Sequence, residues 1–365
     1  MADFGIVGLT HPKIAQGMDY WRLLVPLHHM QSLGYPVRVT RLGNDLPTFD
    51  GEPPYVLIMC ETFAGTHGEE RRTKKLCQNY GMLYVVDIAD DPTPREDSPM
   101  QRPDGLWEAK LECIAEADLV TCNTAPMRDT LLQWNPHVEV IPDYAEAFHW
   151  DGAKPDGRPD CLTIGVRGGS THERDWAILE EPWRKIAEDF PDVHFVSCGL
   201  KVDWFDQLPT GRYHHRPWSL IDRYQAEVKW IDIGCAPLDD NYFNLSKSPI
   251  AYYDFSLANA ATVASRGTIY DQPILAAGGG HLARTTQDWI DFLAHCLTDS
   301  QWMYNAYWAR DWVVKNRCMN ATRCREREMI YRKHWSRRYE RPTDLPEGEK
   351  SLLSSWPGTI HSTRN

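Results

Sequence analysis

Lys247, Ser248, Pro249 and Asp254 fall within eight residues of one another in the stretch "NYFNLSKSPIAYYDFSLANAATVAS", Asn241–Ser265. Together they could hold a phosphorylated ligand that also carries hydroxyls. Ser248 reads as an N-cap and Pro249 as a first helical residue, so a helix is expected to begin there. Its free N–H groups and dipole favour an anion. Lys247, placed directly before that start, opposes the dipole unless an anion lies between. Asp254 follows about 7.5 Å along the axis, where a carboxylate could accept two ribose hydroxyls. The bland alternative is a core pairing with Arg or Tyr. At about 100° per residue Asp254 falls inside the apolar stripe of Ile250, Tyr253, Leu257 and Ala261, where an unneutralised carboxylate is costly.

Other loops carry weaker signals. In "VRGGSTHERD", after the apolar run "LTIGV", Gly168 and Gly169 admit a close backbone approach, and Ser170 and Thr171 can cap a following helix. Arg167 adds positive charge, so the turn suits an anion, although a tight strand–helix turn needs the same residues. Lys201, in "CGLK", emerges where a diphosphate could lie, but is equally an ordinary exposed lysine. Asp87, Asp90 and Asp91 in "DIADD" could serve a metal, a glycosidase carboxylate pair, an acceptor or nothing but solvent. His11 follows the first strand directly, whereas His28 and His29 lie mid-helix and His67 lies further on. Gly17 and Arg22 begin that helix and could meet a phosphate from the other side.

These residues must be positioned by more than one core, because 365 residues suit two domains. The net charge of −12 argues against wholesale nonspecific binding to nucleic acid. The charge is uneven. Arg310–Arg341 holds 11 basic and 4 acidic residues, a net +7 that leaves −19 for the remainder. Ten cysteines include no CxxC pair and no zinc spacing. Cys60, Cys122, Cys198 and Cys235 sit in or beside apolar runs, as small hydrophobes would. The N-terminus lacks signal-peptide features and no run reaches the ~18 apolar residues of a membrane span. A reducing, cytoplasmic setting is expected.

Short apolar runs alternate with amphipathic stretches, as in "DFGIVGL", "PVRVTRL", "PYVLIMC", "MLYVVDI" and "DLVTCNT". The pattern restarts with "CLTIGVRGG", "VHFVSCG", "DIGCAPL" and "ATVAS". Strands separated by helices of this length predict an α/β protein with two Rossmann-like doubly wound domains facing a cleft. The boundaries are 1–144 for the first domain, 145–160 for a polar Pro/Gly-containing linker and 161–308 for the second. Helices over 309–341 and a polar tail over 342–365 follow.

The opening stretch resembles the donor segment of retaining GT-B glycosyltransferases, in a family-4-like group ("glycosyl transferases group 1") whose usual form is "FNxxKSxxKxxEYxAxGxPVVAS". It matches at Phe243, Asn244, Lys247, Ser248, Asp254 and the closing "VAS". "DIGCAPLDD" is similar to that group's "DIGLAPLxD", "LTIGVRGGSTHERD" to "xIGWxGSxxHxxDW", and "ADLVTCNTAPMRDTLLQWNPHVEVIPD" to "ADxVTVSTxxLxxxLxxxxxxVxVIPN". "DYWRLLVPLHHMQSLGYPVRV" and "YVVDIADD" resemble "xYRxxxPxxxLxxxGxxVxV" and "YDxDDD". The matches run in order over roughly residues 4–335. Asp254 replaces the usual Glu, Ala251 the usual Lys, and "NAATV" the usual "GxPVV", which leaves the sugar preference open.

The resemblance implies a hexosyltransferase-type enzyme that moves a sugar from a UDP- or GDP-sugar to a hydroxyl acceptor. It implies no metal and no further cofactor. Lys247, Asp240 and Asn244 would form the catalytic group, with Asp239, Asp240 and Asn244 on the sugar hydroxyls. Lys247, Ser248 and the helix start would hold the diphosphate, with Arg167, Gly168, Gly169, Ser170 and Lys201 around it. Asp254 would take the ribose, and Trp218 or His215 would pack on the base. Gly17, Arg22, His11, Asp90 and Asp91 would line the acceptor side in the first domain. The acceptor could be a glycan, a small molecule or a modified DNA base. A nucleotide-sugar epimerase or hydrolase of the same fold, and a non-catalytic binding module, are the rival readings. The aromatic, basic tail "RCREREMIYRKHWSRRYERP" would cross back onto the first domain or grip an acidic partner.

Overall fold

The computed structural model describes residues 4–10, 17–41, 46–60, 69–93, 98–99, 106–150, 154–219 and 221–338; His11 and His67 lie outside them. The described residues form two units. One holds 4–93, 106–144 and 319–338, and the other 98–99 and 145–318.

The first unit is built on six strands: β1 (Ile6–Thr10), β2 (Val37–Arg41), β3 (Val56–Cys60), β4 (Leu83–Ile88), β5 (Leu119–Cys122) and β6 (Val138–Val140). All pair in parallel, in the order β2-β1-β3-β4-β5-β6. Every residue of β1, β3, β4 and β5 is buried, because helices cover both faces of a parallel sheet. The helices are α1 (Gly17–Asp19), α2 (Val25–Ser32), α3 (Glu69–Asn79), α4 (Leu106–Glu116) and α5 (Ala125–Leu131). A π-helical turn at Tyr20–Leu24 joins α1 to α2.

That turn carries Arg22 inward. Its side chain has no exposed surface; Nε and Nη2 donate to Asp87 at 2.7 and 2.9 Å, and Nη1 donates to Asp143 at 2.8 Å and the Ile141 carbonyl at 2.6 Å. Burial alone would lower the guanidinium, but Asp87 and Asp143 hold it well above its ordinary value. Thr121 Oγ1 donates to Asp87 at 2.5 Å. The cluster therefore ties a helical turn to β4, β5 and the segment after β6. This corrects the expected phosphate contact for Arg22, since the whole fork is committed to carboxylates and a carbonyl.

The second unit contains β7 (Thr163–Gly168), α6 (Glu173–Ala177), α7 (Glu180–Asp189), β8 (His194–Gly199), β9 (Tyr213–Pro217), α8 (Ile221–Val228) and β10 (Ile233–Ala236). It continues through α9 (Tyr242–Leu245), α10 (Ile250–Leu257), β11 (Ala261–Ser265), α11 (Asp271–Ala277), β12 (His281–Ala283), α12 (Thr286–Thr298) and α13 (Gln301–Arg317). The parallel sheet runs β12-β11-β10-β7-β8-β9, with the order reversing between β7 and β10. An aromatic core packs against it, with Trp183 5.4 Å from Phe205 and 5.0 Å from Phe195.

Two boundaries differ from expectation. Of the segment expected as a linker, residues 145–150 and 154–160 are part of the second unit: Trp150 is buried, Lys154 pairs with Asp232 at 3.2 Å, and Arg158 pairs with the same carboxylate. The returning segment starts at 319 and not at 309, because α13 packs on α10, α11 and β11. The last helix, α14 (Ala321–Arg338), lies in the first unit against α2 and β4. There Arg327 is buried, Trp335 Nε1 donates to the Gly81 carbonyl at 2.8 Å, and Lys333 and His334 reach Glu139. All ten cysteines are free thiols and nine are buried. Among the described residues no helix is long and apolar enough to cross a membrane.

Arg22→Met strands two buried carboxylates and is expected to destabilise the first unit by about 3–5 kcal/mol in urea unfolding. A loss below about 1 kcal/mol would show that the cluster does not hold the unit together.

Candidate functional site

The strand order of the second unit reverses between β7 and β10, so the chain leaves their carboxyl ends toward opposite faces and opens a crevice. Two glycines shape its floor. A Cβ on Gly199, whose φ is +102°, would lie 2.3 Å from the Gly168 carbonyl oxygen. A Cβ on Gly168 would lie 2.5 Å from the His172 ring. Gly169 has room, its nearest neighbour being the Trp218 ring at 3.9 Å. Trp218 lies over this turn and is 58% exposed, a flat apolar surface facing solvent. The expected capped helix after the glycines does not form. Ser170–His172 is a 3-10 turn without a side-chain cap, and α6 has five residues. The backbone instead turns tightly so that His172 can point back under Gly168.

His172, not among the residues expected from sequence, is the centre of a network. Its Nδ1 donates to Asp175 at 2.8 Å, which leaves Nε2 as an acceptor 3.4 Å from Lys247 Nζ. Burial first, and the Lys247 charge second, push the imidazole down to about 4 despite the pull of Asp175. Neutral His172 thus offers a lone pair to the ammonium, which also sits 4.9 Å from the centre of the Phe243 ring. The other Asp175 oxygen accepts from the Asp239 backbone N–H at 2.8 Å and from Asn244 Nδ2 at 2.7 Å. Burial opposes the Asp175 carboxylate, but the His172 hydrogen bond and the Lys247 charge hold it below the usual range. Asp175 and Asn244 are almost wholly buried. One carboxylate therefore fixes the loops after β7 and β10 together, with Lys247 and Asn244 brought to one place. A His and an Asp three apart in "HERD" share a helix face, which is the signal that could have found them.

Asp254 lies deeper. It has no exposed surface, and its Oδ2 is 2.6 Å from Arg167 Nη2 and accepts from the Tyr224 hydroxyl. The Arg167 contact is an ion pair without hydrogen-bond alignment, and Asp254 Oδ1 accepts from no described residue. Burial raises the carboxyl to about 6, against the Arg167 charge and the Tyr224 hydrogen bond. Burial likewise opposes the Arg167 guanidinium, but Tyr224, Asp254 and Tyr270 hold it above its ordinary value. Arg167 and Asp254, expected on separate parts of a ligand, pair with each other here because a buried carboxylate needs a counter-charge. The amphipathic stripe is also absent: α10 is buried on all sides from Tyr252 to Leu257. Its start is one residue late. Pro249, with ψ +43°, is the N-cap and not the first helical residue.

The remaining candidates are more scattered. Asp240 is exposed and Asp239 half-buried on the loop after β10. Lys201 pairs with Asp206 at 2.7 Å on the surface. His215 Nδ1 contacts Ser197 Oγ at 3.0 Å in β9. In the first unit Gly17 starts α1, Asp90 is half-buried, and buried Asp91 Oδ1 accepts from the backbone and hydroxyl of Thr93. Asp87 belongs to the Arg22 cluster and is fully buried, which removes it from any acceptor role. Among the described residues no three His, Cys, Asp or Glu side chains are grouped to hold a metal.

No protein-family model and no curated protein matches the chain. Solved structures are similar in fold. HepE of Anabaena, in complex with UDP and glucose, is 11% identical with a TM-score of 0.62 over 90% of this chain and 100% of its own. Sucrose-phosphate synthase of Thermosynechococcus elongatus gives 11% and 0.61 over 91% and 100%. A putative UDP-N-acetylglucosamine 2-epimerase of Listeria monocytogenes gives 12% and 0.53 over 94% and 99%. At these identities the likeness shows the fold, which is GT-B.

Two outcomes test the geometry. Gly199→Ala should cost at least about 2 kcal/mol in urea unfolding, and Gly169→Ala less than about 1, because only the first forces a clash at positive φ. Equal costs would contradict the glycine floor. His172 is held neutral, so its stabilising part is present above the unfolded imidazole value of about 6.5 and lost as pH falls through about 4. The stability difference between wild type and His172→Asn should shrink over that window, and a flat difference would remove the buried neutral imidazole.

Proposed function

We propose that this chain is a nucleotide-sugar-dependent glycosyltransferase of the family-4-like, hexosyltransferase type. It moves a sugar from a UDP- or GDP-sugar to a hydroxyl acceptor with retention of configuration. The observation that carries the reading is the Asp175 network, which holds Lys247 and Asn244 at the mouth of a crevice where ligands of such sheets bind. The similarity in fold to HepE, solved with UDP-glucose, supports it.

In this reading the diphosphate lies against Lys247 and the Gly168–Gly169 turn. The Lys247 ammonium is buttressed by neutral His172 and opposes the negative charge that grows on the leaving phosphate. Such preorganised charge stabilisation needs no covalent intermediate. The departing phosphate oxygen takes the proton of the acceptor hydroxyl as the new glycosidic bond forms on the same face. Asn244 Nδ2 is occupied by Asp175 and the Asp239 carbonyl, so its role toward the sugar is that of acceptor through Oδ1. Asp240 adds an exposed carboxylate for hydroxyls. Asp254, fully buried and paired with Arg167, orders the wall of the crevice and does not meet the ribose, and Trp218 is the surface for the base. Nine buried free thiols fit a reducing, cytoplasmic setting.

A second reading, a nucleotide-sugar epimerase, is supported by the similarity to the Listeria protein. The two separate when donor is incubated alone and followed by NMR: a transferase leaves the sugar configuration unchanged, an epimerase inverts it. A thermal-shift panel of UDP-, GDP- and ADP-sugars should raise the melting temperature with at least one donor. Lys247→Ala should then weaken that donor by roughly 2–3 kcal/mol, the size of a lost charge-assisted contact. Failure of every donor to shift the melting temperature would overturn the reading.

A further inference from the structure

α13 is built inside out. The buried side chains it turns toward its own unit are slender ones, Ala306, Ala309 and Val313, which share one face at about 100° per residue. The helix packs so tightly there that a Cβ on Gly279 would lie 2.5 Å from the Asn305 carbonyl oxygen and 2.8 Å from the Ala309 nitrogen. The large apolar side chains point to water instead. Met303 is 52% exposed, Tyr304 65%, Tyr307 68% and Trp308 59%. A surface helix ordinarily spends such residues on the core.

The size and charge of this face narrow what can cover it. Aromatic side chains bury about 150–250 Å² each, so at these exposures the four residues leave roughly 500 Å² of surface in one patch. That is at the upper end of the ~300–600 Å² of a monomer's largest apolar patch, and it is most of the ~800 Å² that each partner gives to a standard interface. Exposed Val314 extends the patch along α13, and Leu275, 70% exposed, lies on the adjoining α11. The charges on the outward side are Asp311 and Lys315, which neutralise each other at 2.7 Å. Helices that lie on anionic lipid carry an excess of Lys and Arg. Here residues 145–318 hold 17 basic and 24 acidic side chains, a net −7 that such a surface repels. A face that is apolar at its centre and neutral at its rim can meet an identical face without opposing like charges, as a twofold contact requires.

We propose that a second copy of this chain covers the outer face of α13, in a twofold dimer whose core is Tyr304, Tyr307 and Trp308 packed against their counterparts. The inference stands without the donor reading, because none of the crevice residues lies on this face.

Sedimentation velocity of the full chain across the micromolar range, without nucleotide, should show the mass of two chains at the upper concentrations. The double variant Tyr307→Gln, Trp308→Gln places good helix formers at exposed positions. It should raise the dissociation constant about 100-fold or more, the size expected when two aromatic anchors are lost, with the melting temperature of the dilute protein unchanged. In the wild type alone the melting temperature should rise with protein concentration. A monomer at every concentration would overturn the proposal, as would a double variant that dimerises as tightly as the wild type. Flotation of a monomeric wild type, but not of the double variant, with phosphatidylcholine vesicles would overturn it too and assign the face to a lipid surface.

Discussion

The second unit depends on a charge pair whose carboxylate is wholly buried. Asp254 sits on a helix buried on all sides, and the only cation beside it among the described residues is Arg167 at the end of the central strand. Removing either partner would leave the other uncompensated, at a cost of several kcal/mol. The pairing fixes where β7 ends relative to α10. From that point the chain must turn through Gly168, whose carbonyl excludes any side chain on Gly199 and accepts from the Leu200 N–H. The same turn sends His172 inward to Asp175 and Lys247. The buried pair thus sets the backbone, the backbone sets the imidazole, and the imidazole sets the ammonium.

How much of this was legible in the sequence depended on whether a signal was local. Strands such as "VLIMC" and "LYVVDI" announce themselves as apolar runs, because a parallel sheet buries both faces. Asp254 stood out because it broke an apolar pattern, and its pairing with Arg and Tyr was one of the two readings open to it. Its partners could not be named, since Arg167 and Tyr224 lie 87 and 30 residues away. Arg22 has, in sequence, the position of a helix-start residue facing a ligand. A π-helical turn rotates it into the core, and nothing in "MDYWRLL" marks that extra residue per turn. His172 and Asp175 carry a local spacing signal, three residues apart at the start of α6.

The cationic stretch near the end of the chain has a structural account in the first unit. Arg327 is buried beside Tyr331, and Arg323 and Arg332 stack over Tyr144 and Phe4. Lys333 and His334 share Glu139. Arginine and aromatic side chains interleaved at helical spacing look in sequence like a grip for nucleic acid. Here the same chemistry fastens a helix to its own sheet.

The placement of α14 also orders events in time. A chain leaving the ribosome ordinarily folds its first domain while the next is being made. Here the first six strands emerge early, yet Trp335, edge-on to the stacked Phe4 and Tyr55 rings, and Arg327 under the Arg22 turn, arrive only after the whole second unit has been synthesised. The first unit therefore waits with an open apolar face through most of its biosynthesis, and the domain made first is the last to be finished.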